Sequence, residues 1–181
     1  MKSRTYSSEA FVLARRDFGE ADRIVSVYSK DYGRLSLIAK GVRRPKSRKR
    51  GHIEVFNLIK FQAASGKSLD ILTEAEIIDG YTELRQSLKK ISLSYYLSEV
   101  IGKITHEGEP NNIFFNLILN TFNKLKITKN LKKLRINFVS STLVLLGYWP
   151  ENKKIPDPDK ELESVIERQI SSVRVGKRMI K

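Results

Sequence analysis

The spacing of apolar residues changes period near Gly80, which confines the chain to a β part followed by a helical part. Before that point apolar residues fall in five short runs, Ala10–Ala14, Arg23–Ser29, Arg34–Ala39, Phe56–Gln62 and Leu69–Ile77, rich in β-branched and aromatic side chains. Such runs between turn-forming segments predict strands. Lys30-Asp-Tyr-Gly33 and Ala64-Ser-Gly-Lys-Ser68 supply two of the turns. Beyond Gly80, Leu84, Leu88, Ile91, Tyr95, Leu97, Ile101 and Ile104 recur at helical spacing and predict a helix to about His106. Glu107-Gly-Glu-Pro-Asn111 breaks it, and Ile113 to Leu125 make a second helix. A third runs from about Leu131 to Leu146, where Gly147 and Pro150 give a stop signal. Asp157-Pro158 opens a last helix through Leu162, Val165, Ile166 and Ile170.

The expected class is therefore α+β, with a five-stranded barrel over residues 1–80 and a helical bundle domain over 81–181. A shortened linker at 150–158 precedes the last helix. Five short strands with a long connection between the third and fourth fit the partly open OB-fold, a barrel that binds oligonucleotides. Strand counting leaves an SH3-like barrel open.

That long connection is also the most charged stretch. Seven of its eleven residues from Lys40 to Arg50 are cations (Lys40, Arg43, Arg44, Lys46, Arg48, Lys49 and Arg50), and none is acidic. A run of this kind repels itself and is expected to stay extended until a polyanion neutralises it. Each cation that pairs with a phosphate releases condensed counterions, the main source of affinity for nucleic acid. Arg15, Arg16, Arg23 and Arg34 are further candidates for sheet-face or loop contacts. The net charge of +14 implies an acidic partner. A second basic segment, Lys124, Lys126, Lys129, Lys132, Lys133 and Arg135, lies in the acid-free stretch between Glu109 and Glu151. Charge alone fits DNA, a ribosome or other RNA, or an adaptor for acidic protein tails.

The apparent active sites dissolve on inspection. Gly66-Lys67-Ser68 ends like a phosphate-binding loop, but Phe61 stands where the first glycine belongs and a strand follows instead of a helix. Glu74 and Glu76 alternate on one strand with neither a nucleophile nor a metal partner, which reads as a solvated edge. Trp149 is expected to cap the helical core. His52 and His106 are the two histidines, and there is no cysteine, so a four-ligand zinc site cannot be assembled. Purified protein should contain no stoichiometric zinc by elemental analysis, and a chelator should leave its melting temperature unaltered. The reading is a binding protein without cofactor rather than an enzyme. The absence of cysteine agrees with a reducing cytosol, and no apolar run or leader-like start points to a membrane or to export.

Specific segments resemble one family. Phe18-Gly-Glu-Ala-Asp-Arg-Ile-Val-Ser-Val-Tyr-Ser-Lys30 and Gly33-Arg-Leu-Ser-Leu-Ile-Ala-Lys-Gly-Val-Arg-Arg44 are similar to the N-terminal barrel of the RecO family of bacterial DNA-repair proteins. Phe56-Asn-Leu-Ile-Lys60, Leu72-Thr-Glu-Ala-Glu76, Tyr95-Tyr-Leu97, Glu107-Gly-Glu-Pro-Asn111 and Leu145-Leu-Gly-Tyr148 extend the likeness over about residues 6–150. The resemblance implies an OB-fold followed by a helical domain. It also implies a recombination mediator that binds single- and double-stranded DNA, anneals strands, acts with RecR and contacts the tail of single-strand-binding protein (SSB) in the RecF pathway. Such a protein would be cytoplasmic and nucleoid-associated. Many members carry a four-cysteine zinc module after the segment matched by Tyr148-Trp-Pro150. Here a short charged linker follows, and Val175-Gly-Lys-Arg-Met179 resembles the family's terminal segment, so the expectation is a shortened member. Tyr28, Tyr32 and Phe18 are candidates for base stacking, with core packing expected for Tyr28 and Phe18.

Overall fold

A computed structural model describes residues 5–166; Ile170 and the Val175–Met179 segment lie outside the described residues. The strands are β1 (Thr5–Phe18), β2 (Asp22–Ser29), β3 (Gly33–Ala39), β4 (Leu58–Ala64) and β5 (Asp70–Asp79). They close in the order β1-β2-β3-β5-β4, with β1 pairing back onto β4. β3 and β5 run parallel over Leu37–Asp70 and Ile38–Ile71, and the other pairs are antiparallel. This is the OB-fold, here with its ring closed rather than partly open.

The largest departure from the sequence pattern is β1, which is 14 residues long instead of the short run Ala10–Ala14. Its first half, Thr5–Phe11, pairs with β4, and Ala10–Phe18 pairs with β2. The register shifts between Val12 and Ala14, where the strand passes from one partner to the other. A bulge of this kind bends a strand and breaks its alternation, so Ala10, Phe11, Val12 and Leu13 are all buried. The barrel core gathers Val12, Val25, Val27, Leu37, Ile59, Phe61 and Leu72 from the strands, and it also takes in Val42 and Ile53 from the long connection.

Two compact units result. One comprises the barrel up to Tyr81 together with Thr105–Asn111, and the other comprises Thr82–Ile104 and the chain from Asn112 on. The segment read as a helix break thus belongs to the barrel unit. It lies as a strap along the start of β3. The Gly108 N–H donates to the Arg34 carbonyl at 3.1 Å, the Arg34 Nε to the Thr105 carbonyl at 3.0 Å, and the Ser36 hydroxyl to the Glu107 carboxylate at 3.0 Å. Gly33 sits at φ +66°, and a Cβ there would come within 2.2 Å of the Glu109 carbonyl oxygen. Gly33→Ala is therefore expected to lower the melting temperature by several degrees, with loss of hydrogen-exchange protection at Gly108, because strain and clash coincide at one atom.

In the helical unit, a short 3-10 turn, Thr82–Gln86, leads into α1 (Leu88–Ile104), followed by α2 (Asn112–Ile127), α3 (Leu131–Leu145) and α4 (Pro158–Ile166). Leu97 and Ile101, Phe114 and Phe122, Phe138 and Leu143, and Leu162 supply one buried side from each helix. Asn130 caps α3 by accepting from the Lys133 N–H at 2.9 Å, and Asp157 accepts from the N–H groups of Asp159 and Lys160 at the start of α4. Trp149 is half-buried, and its indole N–H donates to the Lys153 carbonyl at 2.8 Å, so it pins the linker rather than plugging the core.

Candidate nucleic-acid interface

The cationic connection does not stay extended, as its charge density predicted. Val42 and Ile53, at its two ends, are fully buried in the barrel core. Between them the backbone folds into successive turns. The Arg44 N–H bonds the Gly41 carbonyl at 3.1 Å, the Ser47 N–H bonds the Arg44 carbonyl at 3.0 Å, and Arg48–Arg50 forms a 3-10 turn. Gly41, at φ +65°, makes the left-handed step that starts this path. The stem is tied to the β1–β2 connection through the Gly41 N–H to the Asp22 carboxylate at 2.7 Å and the Arg43 N–H to the Ala21 carbonyl at 2.9 Å. Burying two apolar anchors and pairing the backbone outweighs the repulsion among side chains that point into water.

The loop also finishes an incomplete sheet. β5 meets β3 only at Asp70 and Ile71, so its later carbonyls lack a strand partner on that side. The Lys49 ammonium donates to the Leu72 carbonyl at 3.2 Å, and the His52 ring bonds the Ala75 carbonyl. The side-chain amide of buried Asn57 donates to the carbonyls of Gly51 and His52 at 3.2 and 2.9 Å, holding the return of the loop.

The candidate cations now divide by environment. Arg15 is paired with Glu54. Arg23 donates to Asp17 at 2.8 Å, and Arg43 lies 3.4 Å from the same carboxylate and donates to the Gly19 carbonyl. The hydrogen bond from Arg23, joined by the charges of Arg43 and Arg15, holds the Asp17 carboxyl below its ordinary pKa. Arg34 is occupied by the strap. Arg16, Lys40, Arg44, Lys46 and Arg50 are exposed and have no carboxylate of the described residues within ion-pair distance. The loop is thus a folded rim with free charges at its crest.

Beneath the rim lies a cleft of about 930 Å³. Arg44, Lys46 and Lys49 line one side, and Lys60, Gln62, Thr73, Glu74 and Glu76 of β4 and β5 line the other. Glu74 and Glu76, read as a solvated edge, are exposed but face this cleft. Lys60 was not among the sequence candidates. Its signal was available in the alternation of Leu58–Ala64, where Ile59, Phe61 and Ala63 turn inward and Lys60 and Gln62 outward.

Of the aromatic candidates, Tyr28 is buried, and its hydroxyl is pushed up to about 12 by desolvation. Tyr32 is partly exposed but packs on Tyr6 with ring centroids 4.6 Å apart. Phe18, expected in the core, is 47% exposed because it ends β1 beyond the bulge. In the second basic segment, Lys124, Lys129, Lys132 and Lys133 are exposed, and Lys126 is half-buried. Arg135 stands apart from them. It bonds Asp159 of α4 and stacks over the Tyr96 ring at 5.6 Å, so it fastens α4 to the bundle. Burial opposes its charge, but the bond and charge of Asp159 outweigh that and raise its pKa. No helix of the described residues is long and apolar enough to cross a membrane, and none of their His, Asp or Glu side chains cluster in threes that could hold a metal ion.

Comparison with known proteins agrees with this architecture. Residues 1–81 match the family described as "Recombination protein O N terminal". A protein of Pelotomaculum thermopropionicum named DNA repair protein RecO is 37% identical over 145 residues, covering 80% of this chain and 56% of that one. A namesake in Desulforamulus reducens is 32% identical over 146 residues, covering 81% and 57%. One in Dehalococcoides mccartyi is 30% identical over 169 residues, covering 91% and 65%. The chain spans a little over half the length of the first two. With a closed OB barrel, a helical unit and likeness running through both, the chain belongs to the RecO family of DNA-repair proteins.

Proposed function

We propose that this chain is a recombinational-repair mediator that binds single- and double-stranded DNA and anneals complementary strands without chemical catalysis. In that role it acts with RecR to help load recombinase on SSB-coated DNA. The observation that carries this reading is the folded basic rim, whose free cations are held in fixed positions by Val42 and Ile53. Two single strands repel each other, and phosphate contacts to such a rim screen that repulsion while leaving base edges free to pair. The test is annealing of complementary strands coated with SSB. Acceleration at stoichiometric protein supports the reading, and annealing no faster than without protein refutes it.

The helical unit supplies the proposed partner contact. The SSB tail is acidic and ends in an apolar residue, so its receptor needs cations beside apolar surface. Lys132 and Lys133 stand exposed in the first turn of α3, where the helix dipole disfavours cations and no acid offsets them. An anionic partner removes that conflict. Charge reversal at Lys132 and Lys133 is expected to abolish tail-peptide binding and to spare naked-DNA binding. Arg135 is left out of the variant because it holds α4. Unchanged peptide affinity, read by fluorescence anisotropy, would move the receptor elsewhere.

A further inference from the structure

The oligonucleotide face familiar in OB-folds is the outer surface of β2 and β3, and here part of it is closed. The strap Thr105–Asn111 bonds Arg34 and Ser36, and Tyr28 is buried on the same outward-facing side. The open surface is the cleft under the basic rim, and its two walls differ in chemistry. The rim wall offers Arg44, Lys46 and Lys49. The sheet wall offers acceptor oxygens of Gln62, Glu74 and Glu76, with Lys60 among them. Glu74 and Glu76 have no ion pair with the rim, so both walls keep their charge facing the cleft. The lining contains no exposed Phe, Tyr or Trp ring, since Phe61 is 1% exposed, and the half-buried His52 ring is held by the Ala75 carbonyl.

We infer that one single strand lies along this cleft with its phosphates on the rim wall and the major-groove edges of its bases on the sheet wall, which leaves the pairing edges free. The inference rests on the proposed DNA-binding role and adds a direction to it. Carboxylates repel phosphate and accept hydrogen bonds from exocyclic amino groups, so Glu74 and Glu76 set which component of the strand faces them. Cytosine presents an N4 amino donor that a carboxylate accepts, whereas thymine presents O4 and a methyl group at the corresponding edge. No exposed Phe, Tyr or Trp ring in this cleft supplies a rival preference by stacking. Glu74 and Glu76 thus act as selectivity residues that favour amino-bearing bases over thymine.

The test is the affinity of the full chain for dC and dT oligonucleotides of one length at one salt concentration. The wild-type protein is expected to bind the dC oligonucleotide about three- to tenfold more tightly, the low end of what one good carboxylate–cytosine contact gives. Glu74→Ala with Glu76→Ala should bring that ratio to one. Glu74→Gln with Glu76→Gln removes charge but keeps an acceptor oxygen, and it should retain part of the preference. A wild-type ratio of one overturns the orientation and leaves the DNA-binding role standing. Equal gains for dC and dT in both double variants also overturn it, since repulsion alone would then explain the carboxylates. Failure of the wild-type chain to bind either oligonucleotide overturns the role and the orientation together.

Discussion

Replacing Lys40, Arg44, Lys46 and Arg50 together by alanine is expected to weaken single-stranded DNA binding about a hundredfold near 0.2 M salt and to remove about three units from the log–log salt slope. These four are chosen because they are exposed and have no carboxylate of the described residues to pair with. Each phosphate contact to a single strand contributes about 0.7 to the slope, so four contacts account for both figures. Arg15, Arg23 and Arg43 are the control set. Their charge is already engaged by Glu54 and Asp17, so their removal should change the slope far less per residue. Titration at three or more salt concentrations separates the two sets. A slope unaffected by the crest variant, or one reduced equally by the control set, would place the DNA on another surface.

The contrast between those sets shows what the sequence could and could not supply. The cationic run, the strand count and the change to helical spacing were readable because each is a local pattern. Which arginines remain free is not local. Asp17 captures Arg23 and Arg43 only because β1 carries it beside the β1–β2 turn, where the loop stem is also tied. β1 itself was underestimated because it changes partner midway. Its halves look polar where Ser7 and Glu9, and later Arg16 and Asp17, point outward, and only the doubly covered middle is apolar throughout. The helix break at the strap is legible in the sequence, but its attachment to β3 is not, for a related reason. Glu107-Gly-Glu-Pro-Asn111 has no apolar face, and it attaches to β3 through backbone bonds and one carboxylate, which periodicity does not record. Lys60 is not legible as a candidate because it reaches the cleft through sheet geometry rather than through sequence proximity to the basic run.

The same geometry makes an uncharged residue matter for DNA binding. Ile53 is fully buried at the end of the basic loop, among side chains contributed by the strands. Ile53→Ala should destabilise the protein by about 3 kcal/mol, within the range for an aliphatic side chain truncated in a packed core. For a unit of this size that lowers the melting temperature by more than about 10 °C. Ile53→Val, which removes one methylene, should cost about 1 kcal/mol. Well below the transition, where the Ala variant is still folded, its DNA affinity should nonetheless fall several-fold although no cation has been lost. The reason is conformational: a rim released at one end must be reordered before its charges can meet successive phosphates, and each residue fixed anew costs about 1–2 kcal/mol of backbone entropy. Arg44 and Lys46 would remain in the chain but no longer at fixed positions over the cleft. Thermal unfolding and DNA titration of the same preparations test both parts. If the Ala variant loses stability as expected yet binds DNA with wild-type affinity and slope, the loop works as a loose cationic tether and its anchored shape is irrelevant to binding.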